Sequence, residues 1–507
     1  MTDDEREVIN ANNHALVDAL PPDRVFAYFA DLSFVPRGSG NVSGVADFLE
    51  KFARENGLVS LRDKTGNVVI RKDAQKSSSD TGVILQAHQD MVCVKTEETV
   101  HDFTKDPIEL VLDGDKLRAN GTTLGADDGI GVAIAMSILT NKDIAHPPLE
   151  ALFTVDEETD MKGAENVDPA MLEGEVLINL DAESLDIAYI SSAASVASEL
   201  KLTLEIDAKA APAAWRCVKI EGLAGGHSGV AINKARANAY VLLARFLRAA
   251  KPLGYSLHSF GPGKSDGKDN AIPAYAEAIV GLPSEAAAQE LAALANGWQK
   301  KFRNEYRSSD KACAVTVASA DDPGAAFPAV TAEGRDTLLR TVTLLPLGVF
   351  RFIQADNLMD GLAYSDLLVE TSCNMGIVSL SGGTATLTLM ARGSTESVLD
   401  DLMERVEDLA AMANGKLTIK NRTQGWEMPQ ALNPVQELFK EQGLTCLGVH
   451  AGLECGCLVD SFQKVGRNLD AISIGPDLED VHTPTERLYY ATVERLWTQL
   501  TAVLAKL

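Results

Sequence analysis

At 507 residues the chain is too long for a single hydrophobic core, so two or more domains are expected. A hydrophobic share of 46% with 23% charged residues is that of an ordinary soluble globular protein and excludes a disordered or membrane-embedded one. The net charge of −26, from 46 Lys and Arg against 72 Asp and Glu, argues against nucleic acid or an anionic membrane as partner.

The acidic N-terminus, MTDDEREVIN, has no apolar core of the kind a secretory signal needs. Residues 21–57 read as two helical pieces broken at Pro36-Arg37-Gly38, the second ending at Gly57. Strands are predicted at Leu58–Asp63 and Asn67–Lys72 around the Lys64-Thr65-Gly66 turn. A polar Lys-Ser-Ser-Ser-Asp segment then leads to Val83, Ile84 and Leu85, the apolar run of a buried parallel strand. That strand runs out at His88 and Asp90, which point the same way if the segment stays extended. His101–Leu117 reads as a strand-rich excursion returning toward this point.

A glycine-rich loop, 121–131, carries Asp127 and Asp128 into an apolar helix ending near Leu139. The apolar stretch Ile130–Leu139 is too short and too interrupted by glycine to span a bilayer. Leu149–Val155 is a further core strand, ending at Asp156-Glu157-Glu158, and Glu175–Leu180 another, ending at Asp181. Ligands of open α/β sheets collect at such strand ends.

The pattern changes near residue 197. Strands at Glu199–Ile206 and Cys217–Ile220, the Gly225–Gly229 turn with His227, and a helix over Lys234–Ala250 open a new unit. A strand–helix unit follows at 271–301, a strand region from Lys311, paired strands at Thr371–Leu380 and Ala385–Ala391, and a helix at Glu396–Ala413. Residues 421–507 return to α/β character: a helix at Pro434–Gln442, a strand at Ala471–Ile474, a loop with His482 and a helix from Thr485. The expectation is an α/β domain (1–196 and 421–507) interrupted by an inserted α+β domain (197–420). The seven cysteines are odd in number and scattered, which suits reduced thiols and a cytoplasmic location. Cys455 and Cys457 lack a second pair and read as small buried side chains rather than a metal site.

His88, Asp127, Glu157, Glu158, Asp181 and His482 are the candidates for chemistry. Two imidazoles and several carboxylates suit zinc, cobalt or manganese. Two ions sharing one carboxylate would activate a water and polarise a carbonyl oxygen. The Glu157-Glu158 pair offers one carboxylate to a metal and one to proton transfer.

The stretches LQAHQDMV (85–92), VHDFTKDPIEL (100–110), GTTLGADDGIG (121–131), DEETDMKGA (156–164), LINLDAE (177–183), GGHSG (225–229), NAIP (270–273), HAGLECG (450–456) and SIGPDLEDVHTPTE (473–486) occur in family order across nearly the whole chain. On them the sequence resembles the M20 metallopeptidases, and within these the aminoacyl-histidine (Xaa-His) dipeptidases. The resemblance implies a mixed-sheet, zinc-peptidase-like catalytic domain interrupted by a lid, with two divalent ions, zinc first and cobalt or manganese as alternatives. It implies that His88 and Asp181 hold one ion, His482 and Glu158 the other, and that Asp127 bridges them. Asp90 would orient His88, and Glu157 would be the general base. His227 on the lid would meet the oxyanion, and Arg392, assisted by Asn270, would grip the substrate carboxylate. The substrate implied is a small unmodified dipeptide, with a deacylase of N-acylated amino acids as the alternative. A lid of roughly 220 residues, about twice what a dimerising lid needs, leaves monomer and homodimer both open. Thr159-Asp160 departs from the small residues many relatives carry there, and Gln89 replaces an apolar residue and is expected to face away from the site.

Overall fold

The computed structural model describes residues 1–22, 24–263, 267–353 and 368–507. Residues 23, 264–266 and 354–367 lie outside the described residues; the first falls in the first predicted helical piece, the others in the predicted 197–420 unit. Two hydrophobic cores divide the chain. One gathers apolar side chains from Val17 to Ile190 and again from Trp426 to Leu504. The other is built between Ala194 and Ala410.

The first core is organised by an eight-stranded mixed sheet. Its order is Val59–Arg62, Val68–Lys72, Leu149–Thr154, Val83–His88, Val176–Asn179, Asp470–Ser473, Ile187–Ser192, Thr445–Val449. The four strands from Leu149–Thr154 to Asp470–Ser473 are mutually parallel, so their carboxyl ends open on one edge. Every residue of Val83–His88 and of Leu149–Thr154 is buried, as strands covered on both faces require. The helix Ala126–Thr140 is buried almost all round, because it packs between the helix Val25–Ser33 and the strand Val83–His88.

The second core lies under two antiparallel sheets. The four-stranded one runs Ser256–Gly261, Ala276–Leu282, Ala214–Glu221, Ala314–Ser319, and the five-stranded one Gly348–Ile353, Leu368–Ser381, Thr384–Gly393, Ala194–Thr203, Gly415–Thr423. Burial alternates along Ala194–Thr203, which presents Val196, Ser198, Leu200 and Leu202 inward. The helices Ala239–Ala249 and Glu285–Glu305 pack against the first sheet, and Glu396–Met412 against the second. No helix among the described residues is long and apolar enough to cross a membrane.

Several elements differ from expectation, among them the helices Ala332–Leu344 and Glu454–Lys464, which were not predicted. A helix over Asp3–Val17 was not predicted, although Thr2 and Glu5 form its capping box. The helix expected from Lys234 begins at Ala239, because Asn238 caps it and Ala235 is left-handed. The last helix begins at Tyr490 rather than Thr485, since Arg487–Tyr489 pairs as a strand with Lys116–Ala119.

Candidate active site

The carboxyl ends of three adjacent parallel strands deliver His88, the Glu157-Glu158 pair and Asp181 to one place. The non-helical start of the helix Ala126–Thr140 adds Asp127, and a loop near the C-terminus adds His482. His88 Nε2 lies 3.0 Å from Asp127 Oδ1 and 3.5 Å from Asp181 Oδ1. His482 Nε2 lies 3.0 Å from Asp127 Oδ2 and 2.8 Å from Glu158 Oε2. The two oxygens of Asp127 thus face two different imidazoles. Ligand atoms of His88, Asp127 and Asp181 form one group within 4.8 Å, and those of Asp127, Glu158 and His482 another. Glu157 and Glu158 also form such a group with His88.

These residues fit a pair of divalent cations. Imidazole and carboxylate are their usual donors. Buried carboxylates crowded this closely need positive charge, and Glu158 Oε1 is buried without a hydrogen-bond partner among the described residues.

Burial alone would lower the His88 imidazole, but Asp181, Asp127 and Asp90 raise it well above its ordinary value. His482 is likewise opposed by burial and lifted to about 11 by Asp127 and Glu158. The Asp127 carboxyl resists burial and is held far below the usual range by hydrogen bonds to His482 and His88. Burial raises Asp181 to about 6 and pushes Glu157 well up, with Asp181 and Glu158 adding to the rise at Glu157. The site therefore gathers negative charge that favours either protons or metal ions.

Asp90 is fully buried behind His88, with Oδ1 3.4 Å from His88 Nδ1. It accepts from Ser39 Oγ and from the backbone N–H of Glu157 and Glu158. One carboxylate thereby ties the histidine strand to the start of the glutamate pair. Asp128, beside Asp127, accepts from the backbone N–H of His88 and of Gly131. Gln89 turns away from the site and donates to the carbonyls of Gly66 and Phe153.

The second unit carries His227 and Arg392. His227 sits in a short two-stranded pairing with Ala271, and its Nδ1 faces the backbone N–H of Gly229 and Val230 at 3.3 and 3.4 Å. An amide N–H can only donate, so Nδ1 is the acceptor and the neutral ring carries its proton on Nε2. Burial, then Arg392 and His482, push His227 down to about 4, so it is neutral at pH 7. Arg392 is 8% exposed and stands across the ladder from Ser372 and Ser195. Burial lowers it only to about 10, with Asp269 opposing, so it stays charged. Asn270 is exposed at the foot of the His227 pairing, where its carbonyl accepts from Ser228 N–H. On the strand pair that carries Arg392, the amide reaching toward that pairing is Asn374, which donates to the Ala271 carbonyl.

Residues that sequence reasoning did not single out complete the surroundings. Glu454 is fully buried and accepts from Gln86 and Thr154, and Gln86 in turn accepts from Asn179. Glu486 and Arg37 are also buried against the site's backbone. Glu454 and Glu486 fall inside the HAGLECG and HTPTE stretches, but a carboxylate's burial is invisible in sequence.

The profile of peptidase family M20/M25/M40 matches residues 84–506. The cytosol non-specific dipeptidase of Escherichia coli (strain K12) is 34% identical to this chain over 499 residues, spanning 96% of this chain and 98% of that one. The solved structure of the aminoacylhistidine dipeptidase from Vibrio alginolyticus is 30% identical, with a TM-score of 0.80 over 97% of this chain and 98% of that one. A tripeptidase from Staphylococcus aureus shares the fold at 14% identity and a TM-score of 0.54, over 96% and 98% of the two chains.

Proposed function

The chain belongs to peptidase family M20/M25/M40, a metallopeptidase family, and from that premise we propose that it hydrolyses unmodified dipeptides, Xaa-His among them, at a paired metal site. The observation that carries this reading is the sharing of Asp127 between two ligand groups, with Glu157 beside them. The names of the two full-length relatives, one a non-specific dipeptidase and one an aminoacylhistidine dipeptidase, support a dipeptide substrate.

His88 and Asp181 would hold one ion, His482 and Glu158 the other, with Asp127 common to both. Zinc suits the donors best, with cobalt or manganese as alternatives. When bound, such a pair lowers the pKa of a shared water and polarises the substrate carbonyl. Asp90 fixes the orientation and basicity of His88. Glu157 takes the proton of the attacking water and delivers it to the leaving amine. His227 donates from Nε2 to the oxygen that gains negative charge, and its neutrality at pH 7 keeps that hydrogen bond available without adding a charge to the site. Arg392 grips the C-terminal carboxylate, with Asn270 nearby at the mouth.

The unit from residue 197 to 420 acts as a lid on the α/β unit formed by 1–196 and 421–507, limiting substrate length and excluding water. The charge of His482 in the same chain is among the causes that lower His227, which supports a site supplied by one chain, whether monomer or homodimer. A cytoplasmic location follows the E. coli relative and agrees with seven free cysteines.

The test is hydrolysis of Ala-His and of N-acetyl-His by metal-stripped protein before and after addition of zinc, cobalt or manganese. Cleavage of Ala-His that depends on added metal is expected. Faster cleavage of N-acetyl-His would replace the dipeptidase with a deacylase, and activity unaffected by stripping would remove the metal mechanism.

A further inference from the structure

The loop that carries Asp127 is gripped from both sides by two buried charges. Glu486 is 2% exposed, and its carboxylate accepts from four consecutive backbone N–H groups. Oε2 receives Leu124 N–H at 2.8 Å and Gly125 N–H at 3.1 Å. Oε1 receives Ala126 N–H at 2.9 Å and Asp127 N–H at 3.4 Å. These are donors that the start of the helix Ala126–Thr140 leaves open, and no side chain of that segment caps them. A carboxylate there gains from charge-assisted hydrogen bonds and from the helix dipole.

Arg37 is 3% exposed and holds the opposite polarity of the same loop. Its Nη2 donates to the Gly125 carbonyl, and its Nη1 to the carbonyls of Gln89 at 3.1 Å and Asp90 at 2.8 Å. Gly125 admits this approach for two reasons: its φ is +68°, and a Cβ would lie 2.6 Å from Arg37 Nη2. Arg37 therefore ties the Asp127 loop to the end of the His88 strand. Glu486 ties the same loop to the segment that carries His482 four residues earlier, where Glu486 N–H donates to Thr483.

We propose that Arg37 and Glu486 are positioning residues that set the placing of Asp127 between His88 and His482, and so fix the two-ion geometry. The proposal rests on the metal-site reading above, and it assigns no contact with substrate to either residue. The planar guanidinium fork reaches the two sides from two separate nitrogens, Nη1 to Gln89 and Asp90 and Nη2 to Gly125, whereas the three donors of a Lys radiate from one nitrogen; a carboxylate accepts from all four amides, whereas a Gln presents an NH2 in place of one oxygen. Gln at 486 would turn an NH2 toward two backbone N–H groups.

The experiment uses the full chain as Glu486→Gln and as Arg37→Lys, with circular dichroism to check folding. Metal-stripped protein is titrated with Co2+ by calorimetry and by visible absorption, and kcat and KM for Ala-His are measured at saturating metal. Each variant is expected to weaken at least one Co2+ site by about ten- to a hundredfold. The Co2+ spectrum should change, and kcat should fall more than KM rises. A merely structural role would lower the unfolding midpoint and leave the Co2+ affinity and spectrum as they are. Parental affinity, spectrum and kcat in either folded variant would overturn the role of that residue, and loss of fold in both would reduce the pair to a fold clamp and overturn the proposal. Failure of the parent protein itself to bind Co2+ would instead count against the metal-site reading.

Discussion

Asp127 shows how much one side chain depends on residues far away in sequence. Its two oxygens meet imidazoles 39 and 355 positions distant. Glu157 and Glu158 show the opposite: adjacent in sequence, they part in role by where each carboxylate points. Glu158 meets His482, whereas Glu157 makes no ion pair with either histidine among the described residues. If Glu157 handles the proton and Glu158 the ion, Glu157→Gln lowers kcat by about 10²–10⁴-fold while elemental analysis finds the parental metal content. Turnover close to the parent's would remove Glu157 as base, and loss of metal would make it a ligand. The candidate residues were legible because His, Asp and Glu each fell at a strand end or in a glycine-rich loop. Arg37 and Glu486 were not, since an isolated Arg or Glu reads as surface charge until burial is known.

The strand is the element that converts sequence into a site. Strands Leu149–Thr154, Val83–His88 and Val176–Asn179 read as apolar runs, and they are neighbours in the sheet. Across them runs a buried polar row that breaks the apolar pattern: Thr154, Gln86 and Asn179, closed by Glu454 from the helix Glu454–Lys464. Satisfied hydrogen bonds of this kind fix the relative height of the strand ends. The next strand, Asp470–Ser473, is held against the Asp181 segment by the bond from Ala182 N–H to the Ile474 carbonyl. Gly475 follows with no room for a side chain, because a Cβ there would lie 1.6 Å from the Ala182 carbonyl oxygen. Gly475→Ala must push the strand and the Asp181 loop apart, costing about 1–3 kcal/mol or more. Its urea midpoint should drop and its metal affinity should fall with it. A variant with the parental midpoint would show that the loop yields freely.

At the scale of the whole molecule, the two cores meet where His450 of the first unit contacts Ser372 of the second, Nε2 to Oγ at 2.7 Å. Burial, then Arg392, holds His450 down at about 3 from an ordinary 6.5, so it is neutral in the folded protein. Between these values the unfolded chain binds a proton that the folded chain does not. Stability carried by His450 is thus complete above pH 6.5 and is lost as pH falls toward 3. The loss runs at about 1.4 kcal/mol per pH unit. In His450→Gln, which keeps a hydrogen-bonding partner for Ser372, the fall of the unfolding midpoint on acidification should be shallower than in the parent. Equal slopes would show that this contact does not exclude the proton.

The same scale separates what was legible in sequence from what was not. Local periodicity, turn chemistry and motif order sufficed for the alternation of strands and helices, the change of character near residue 197 and the set of candidate ligands, because each depends on neighbours within a few positions. The start of the last helix escaped, since Arg487–Tyr489 is recruited as a strand by Lys116–Ala119, some 370 residues away. So did the polar row under the strand ends and the grip of Arg37 and Glu486 on the Asp127 loop. Both are made of side chains whose charge or polarity is tolerable in the interior only through partners that folding brings to them, and only the tertiary structure decides which partners those are.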